Sequence, residues 1–320
     1  MPSQSALDKL VMELHEARFN EFNQEMLRRK SMVERTARFY KERLKQRRNF
    51  MTSIGTDMKK FDAAIEKDNR GQEAELKSFL EEFRPQLANR PPSGASVSKD
   101  AAIRSQVLAE SGNLILPVFA SAIMVADRAQ LTDQTGLIGP PVAPPGINSG
   151  WVFPDDPSKI LIRDYRWGEN ALCYDNRWDS PPEFSAHFTF VPATTANYEM
   201  TAVITFHGFY VLRCDDSWWN CRDAEVRLTV QMNVHQYTDS GWHDFPALLD
   251  VEKDNTDEVT SFDRTFFLDY TTGLRVGDPV VVTVKGVVLA TSHGVAYAEL
   301  NFKDGTANYI QPLFLSVQQV

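Results

Sequence analysis

Glu225-Val226-Arg227-Leu228-Thr229-Val230-Gln231-Met232-Asn233-Val234-His235 alternates without a fault. Val226, Leu228, Val230, Met232 and Val234 fall on one side, and every residue between them is polar or charged. Successive side chains of a strand point to opposite faces, so this is an antiparallel strand with one face in a core. Outward from it, Lys159–Tyr165, Phe184–Val191, Tyr198–Leu212, Ser261–Tyr270, Pro279–Leu289, Val295–Phe302 and Tyr309–Val317 read the same way. Eight such runs, joined by polar connections bearing Gly and Pro, predict a two-sheet antiparallel sandwich of jelly-roll type over residues 151–320.

Gly273-Leu274-Arg275-Val276-Gly277-Asp278-Pro279-Val280-Val281-Val282 has an L-x-x-G-D-x-V-x-V shape. It resembles a turn-into-strand phrase of jelly-roll heads such as the C1q/TNF-like family. The resemblance is confined to these residues and implies a fold element; no family function is carried over from it.

The front of the chain reads differently. No proline occurs between Pro2 and Pro85, and Ser5 with Asp8 resembles a capping box. Met51, Ile54, Met58, Phe61 and Ile65 are spaced 3, 4, 3, 4, the rhythm of a helical seam. Arg29, Thr36 and Arg47 interrupt the seam upstream, so the coiled coil is imperfect. Asp68-Asn69-Arg70-Gly71 is a stop signal, and a shorter helix with Leu76, Phe79 and Phe83 follows it. A helix of this length needs a partner for its seam: itself folded back near Gly55 or Gly71, or other copies of the chain. The expected fold class is therefore α+β and multidomain. Residues 1–90 form a long-helix coiled coil or helical bundle that oligomerises or docks. Residues 91–150 form a Pro-rich linker or collar, marked by Pro91-Pro92-Ser93-Gly94 and Gly139–Gly146, with short helices around Ala101–Ala109 and Val118–Gln130.

Charge divides along the same line. The chain carries a formal −9, yet residues 1–100 hold 20 Lys and Arg against 16 Asp and Glu, and the remainder holds 14 against 27. Overall acidity argues against a general nucleic-acid binder. Met1–Lys9 lacks the pattern of a secretory signal, and the most apolar window, Leu114–Ala126, is broken by Pro117 and too short to span a bilayer. The expected compartment is cytoplasmic, or release without a cleavable leader.

Two candidate binding clusters stand out. Arg28, Arg29, Lys30, Arg35, Arg38, Lys41, Arg47 and Arg48 make a basic helical stretch suited to an acidic partner, an anionic membrane surface or a solvated face. Trp218 and Trp219, beside Asp215, Asp216 and Asn220, lie in a connection between strands. Two indoles next to carboxylates and an amide suit stacking on a sugar ring or a protein contact, and would otherwise plug a sandwich end. Cys214 and Cys221 bracket this stretch and either close it as a disulfide or stay free thiols.

Chemistry is not signalled. The acidic run from Asp250 to Glu258 fails the EF-hand template, with Asn255 and Ser261 where Gly and Glu belong. His187 and His235 fall on the polar faces of their strands and read as surface residues. No catalytic, cofactor or metal motif is present. The expected function is a non-enzymatic structural or interaction protein, adhesin- or fibre-like, whose helical module sets copy number as a homo-oligomer and whose sandwich binds a glycan or protein. The alternative is a membrane-active, pore-forming toxin whose basic helices and Leu114–Ala126 segment move onto a bilayer. A third reading is a polysaccharide-acting enzyme.

Overall fold

The computed structural model describes residues 45–88, 99–110, 113–117, 123–126, 152–153, 156–167, 181–214, 223–236, 239–293 and 296–320, with isolated helical positions between 20 and 43. After a helical stretch that includes residues 45–53, the helices α1 (Met58–Ala88) and α2 (Lys99–Glu110) precede the strands. The strands are β1 (Leu114–Pro117), β2 (Ile123–Ala126), β3 (Val152–Phe153), β4 (Asp156–Ile160), β5 (Ile162–Trp167), β6 (Glu183–Phe190) and β7 (Ala196–Cys214). They continue as β8 (Asp223–His235), β9 (Asp239–Asp244), β10 (Leu249–Lys253), β11 (Thr256–Leu274), β12 (Val280–His293), β13 (Ala296–Phe302) and β14 (Tyr309–Gln319).

Eight of these strands are nested from the outside in. β1 pairs β14, β6 pairs β12, β7 pairs β11 and β8 pairs β10, all antiparallel. β14 also lies on β7, and β12 on β8. The result is two packed sheets, one running β1-β14-β7-β11 and the other β6-β12-β8-β10, which is the jelly-roll arrangement. The remaining strands extend these sheets. β13 continues the line of β14 along β7, β5 flanks β13, and β9 lies end to end with β10 along β8.

The inner faces follow the alternation. Val226, Leu228, Val230, Met232 and Val234 of β8 meet Met200, Ile204, Phe206 and Leu212 of β7 in one core. Phe206 sits among aromatic rings, edge-on to Phe266 at 5.7 Å and to Phe302 at 5.8 Å. Each fully buried side chain of this size contributes about 1.5–3 kcal/mol relative to exposure. Gly208 makes room for one of these rings: a Cβ built on it would lie 2.3 Å from Phe302.

The expected coiled coil or helical bundle is overturned. The described residues are mostly β, with 58% of them in the strands of two antiparallel sheets. Residues 45–53 are helical, but the seam through Met51, Ile54 and Met58 is cut at Gly55, which has φ 91°. Gly55 N–H donates to Thr52 O and Thr56 N–H to Met51 O, the paired bonds of a Schellman stop. Asp57 then caps α1, its Oδ1 accepting from the N–H groups of Lys59 and Lys60. Arg48 and Asp62, 14 positions apart, bond through two contacts of 2.9 and 2.6 Å. An unbroken helix would hold residues so placed about 20 Å apart, so the chain reverses here.

Beyond the turn, α1 runs through Asp68-Asn69-Arg70-Gly71 without stopping. Its apolar stripe does not seek another helix. Leu76, Phe79, Leu80 and Leu87 pack on the outer face of the first sheet, against Phe209, Val211, Val259 and Tyr297. Arg213 fastens this contact, meeting the Glu75 carboxylate at 3.3 Å and that of Asp257 at 3.2 Å. α2 is tied to the same face by Arg104, which contacts Asp269 at 2.7 Å and lies over the Phe267 ring. The helices are a cover on a sheet.

The second helix expected around Val118–Gln130 is not formed at Ile123–Ala126, which is β2, paired with β6. Leu114–Pro117 is β1 on the other sheet, so both sheets draw an edge strand from ahead of residue 150. The Gly139–Gly146 and Pro91–Gly94 segments lie outside the described residues.

Candidate functional site

Trp218, Trp219, Asp215, Asp216 and Asn220 lie outside the described residues, between the end of β7 on one sheet and the start of β8 on the other. Cys214, just before them, is a free, buried thiol, and its Sγ donates to Lys253 O at 3.3 Å. Of the basic stretch, Arg28, Arg35, Arg38 and Arg47 are exposed helical positions, whereas Arg29, Lys30 and Lys41 are outside the described set. Arg48 is engaged with Asp62, whose carboxyl is held below its ordinary range chiefly by that hydrogen bond.

The structure brings a different set together, on the outer face of the second sheet. Register places His187, Thr283, Asn233 and Trp242 in one row across β6, β12, β8 and β9, and Ser185, Lys285, Gln231 and Asp244 in the next. Trp242 is 42% exposed. Its strand is anchored by Asn233 Nδ2, which donates to Gly241 O at 2.9 Å. Lys285 Nζ lies 5.3 Å from the Trp242 ring centroid and 3.4 Å from Glu183 Oε2. Gln231 Nε2 donates to Asp244 Oδ1 at 2.5 Å. Behind them, His187 Nδ1 and Thr283 Oγ1 are 3.0 Å apart, and Ser185 Oγ is 3.4 Å from His187 Nε2.

These contacts set a half-exposed indole on a floor of hydrogen-bonded polar groups. Glu183, Ser185, His187, Asn233, Thr283 and Lys285 are buried, so the floor is rigid, while Trp242 and Asp244 are exposed at its edge. His187 is on the polar face as its alternation requires, but it is buried and bonded, not a surface residue. Such a patch can stack a flat apolar surface and bond hydroxyl or amide groups beside it.

No family model matches this chain, and no curated protein resembles it in sequence. Solved structures are similar at a distance. TmCBM61 in complex with β-1,4-galactotriose is 9% identical, with 66% of this chain and 90% of that chain covered at a TM-score of 0.19. Eiger TNF from S. frugiperda is 12% identical, with 64% and 90% covered at a TM-score of 0.21. Likeness at this level assigns no ligand and no partner to the chain.

On the first sheet, His207 Nδ1 meets Asp263 Oδ1 at 3.0 Å, with the Tyr309 ring 4.8 Å from the imidazole and Lys159 Nζ 4.5 Å from the Tyr309 centroid. The hydroxyls of Thr205 and Thr265 in the adjoining row bond each other at 3.0 Å. This cluster ties β7, β11 and β14 together beside the helices. The acidic run from Asp250 to Glu258 is a corner between sheets, with Asn255 at φ 43°. Its carboxylates serve different groups: Asp250 meets Arg227, Asp257 meets Arg213, and Glu258 accepts from Tyr210. Among the described residues no three His, Cys, Asp or Glu side chains gather around one point, and no described helix is long and apolar enough to cross a membrane.

Sequence reasoning missed Trp242. Its strand, Asp239–Asp244, is short and carries Gly241, so the run shows no alternation of its own. The usable signal was the polar side of Glu225–His235, whose Gln231 and Asn233 form the middle of the site.

Proposed function

We propose that this chain is a non-enzymatic recognition protein whose jelly-roll sandwich binds a glycan or protein ligand on the outer face of the second sheet. One observation carries the reading: Trp242 is held half-exposed above a buried polar floor tied by hydrogen bonds and the Lys285–Glu183 ion pair. Leaving so large an apolar ring in water is unfavourable, and ligand burial recovers that energy. Trp218 and Trp219, in the chain segment that joins β7 to β8, are a second aromatic contact on this reading, and the exposed Arg28, Arg35 and Arg38 serve an anionic partner surface.

The membrane-active alternative draws no support from the apolar segment. Leu114–Pro117 and Ile123–Ala126 are hydrogen-bonded strands, and moving them to a bilayer unzips an edge from each sheet. The test is binding of the full chain to a glycan array, with Trp242→Ala and the Trp218→Ala/Trp219→Ala pair beside it. Loss of binding in Trp242→Ala supports the proposal; undiminished binding in that variant overturns it.

A further inference from the structure

Resting on the reading of the Trp242 face as a ligand surface, we infer that its ligand is an uncharged saccharide and that acidic sugars are rejected. The charges around the indole carry this. Lys285, the cation over the ring, faces Glu183 at 3.4 Å, and their side chains are only 10% and 1% exposed. Asp244 stands exposed two residues beyond Trp242 on the same face of β9, holding the Gln231 amide. Arg227, farther along β8, meets Asp250 at 3.3 Å. Lys285, Glu183, Asp244, Arg227 and Asp250 sum to one negative charge.

A uronate, sialate or sulfate stacked on Trp242 approaches Asp244, and the described cation at the ring, Lys285, reaches it by being drawn from Glu183. That leaves the Glu183 carboxylate buried without its partner, a costly arrangement. A neutral pyranose meets the reverse situation. Its C–H face covers the indole, and its hydroxyls donate to Asp244, an acceptor-only group when ionised. Two residues of extended strand separate Trp242 from Asp244 by about 7 Å, a reach that lets one ligand use both.

The experiment sets neutral, uronate-bearing, sialylated and sulfated glycans against the full chain, then measures the best ligands by calorimetry at low and high salt. Expected are neutral ligands with affinity insensitive to salt, loss of binding in Trp242→Ala, and a tenfold or greater weakening in Asp244→Asn. Glu183→Gln keeps the side chain's shape and unmasks Lys285, and is expected to raise uronate affinity several-fold. Preference of the unmodified chain for acidic glycans, lost in Trp242→Ala and falling with salt, overturns this inference and leaves the face intact. Full affinity in Asp244→Asn does the same. Glycan binding indifferent to Trp242→Ala overturns both readings, and no glycan bound at all overturns this inference while leaving a protein ligand for the face.

Discussion

The ring of Phe184 occupies the space above Gly286, its partner in the β6–β12 ladder: a Cβ built on Gly286 would lie 2.2 Å from Phe184 Cε1. Both residues face the core, and Phe184 is fully buried. Gly286→Ala must therefore push the ring into packed neighbours, and overpacking of this kind costs about 1–3 kcal/mol. Urea denaturation measures it. Phe184→Leu alone is expected to destabilise, and the two substitutions together to cost less than their sum, because the smaller side chain makes room for the methyl group. Strict additivity would mean that the ring and the glycine are not coupled.

The same residues show what was legible in the sequence. Alternation in Glu225–His235 located that strand and its core face correctly, because a period of two has one physical cause; Tyr198–Leu212 was located as a strand, but both of its faces are buried. The seam of Met51, Ile54, Met58, Phe61 and Ile65 was a pattern with two solutions. A helix stripe is buried equally well by a helix or by a sheet: the downstream stripe of Leu76 and Phe79 is taken by Phe209 and Tyr297 of the sheet, while Ile54 of the seam is exposed. Gly55 was a correct place for the chain to fold back, and Gly71 was not, since a lone helical glycine is tolerated when its neighbours carry the helix. At the site, sequence located the polar row of β8 but not its neighbours. That Lys285, Gln231 and Trp242 share a face depends on registers between strands distant in the chain.

The helix cover makes its own prediction. Leu76 is buried against the sheet and Phe79 packs beside it, with the Arg213 guanidinium 5.2 Å from its ring. Leu76→Ala is expected to cost about 2–3 kcal/mol, the lower part of the range for a buried Leu, and to leave an apolar patch beneath α1. Hydrogen exchange read by mass spectrometry should show protection falling in Met58–Ala88 first, with β7 and β8 retained. Simultaneous loss across both sheets would show that the cover and the sandwich unfold as one unit.

The fold-back at Gly55 depends on acid. Arg48 holds the Asp62 carboxyl below its ordinary value, mainly through their hydrogen bonds. A depressed carboxyl contributes stability that is fully present above its unfolded pKa, about 3.9, and lost as pH falls through the lower folded value. The pair is nearly half exposed, so its worth is that of a surface ion pair and is screened by salt. NMR titration of the Asp62 side-chain carboxyl should give a midpoint below the ordinary value of about 3.9, and Arg48→Gln should move it upward. A midpoint unmoved by Arg48→Gln would contradict the contact.

Alkaline pH acts on the core end of β7. Burial pushes the Cys214 thiol up, and burial with the Glu258 hydrogen bond does the same to the Tyr210 hydroxyl. For both groups the folded chain holds its proton more tightly than the unfolded one. Their contribution is therefore complete below the unfolded values, about 8.5 for a thiol and 10 for a phenol, and declines as pH rises beyond them. Iodoacetamide at pH 8 should label Cys214 far more slowly in the native chain than in urea, because the thiolate is the reacting form and burial withholds it. Cys214→Ala is expected to remove the part of the stability loss that begins above about pH 8.5, leaving the later part to Tyr210. Rapid native labelling at Cys214, mapped by peptide mass spectrometry, would show that this end of the sandwich opens readily.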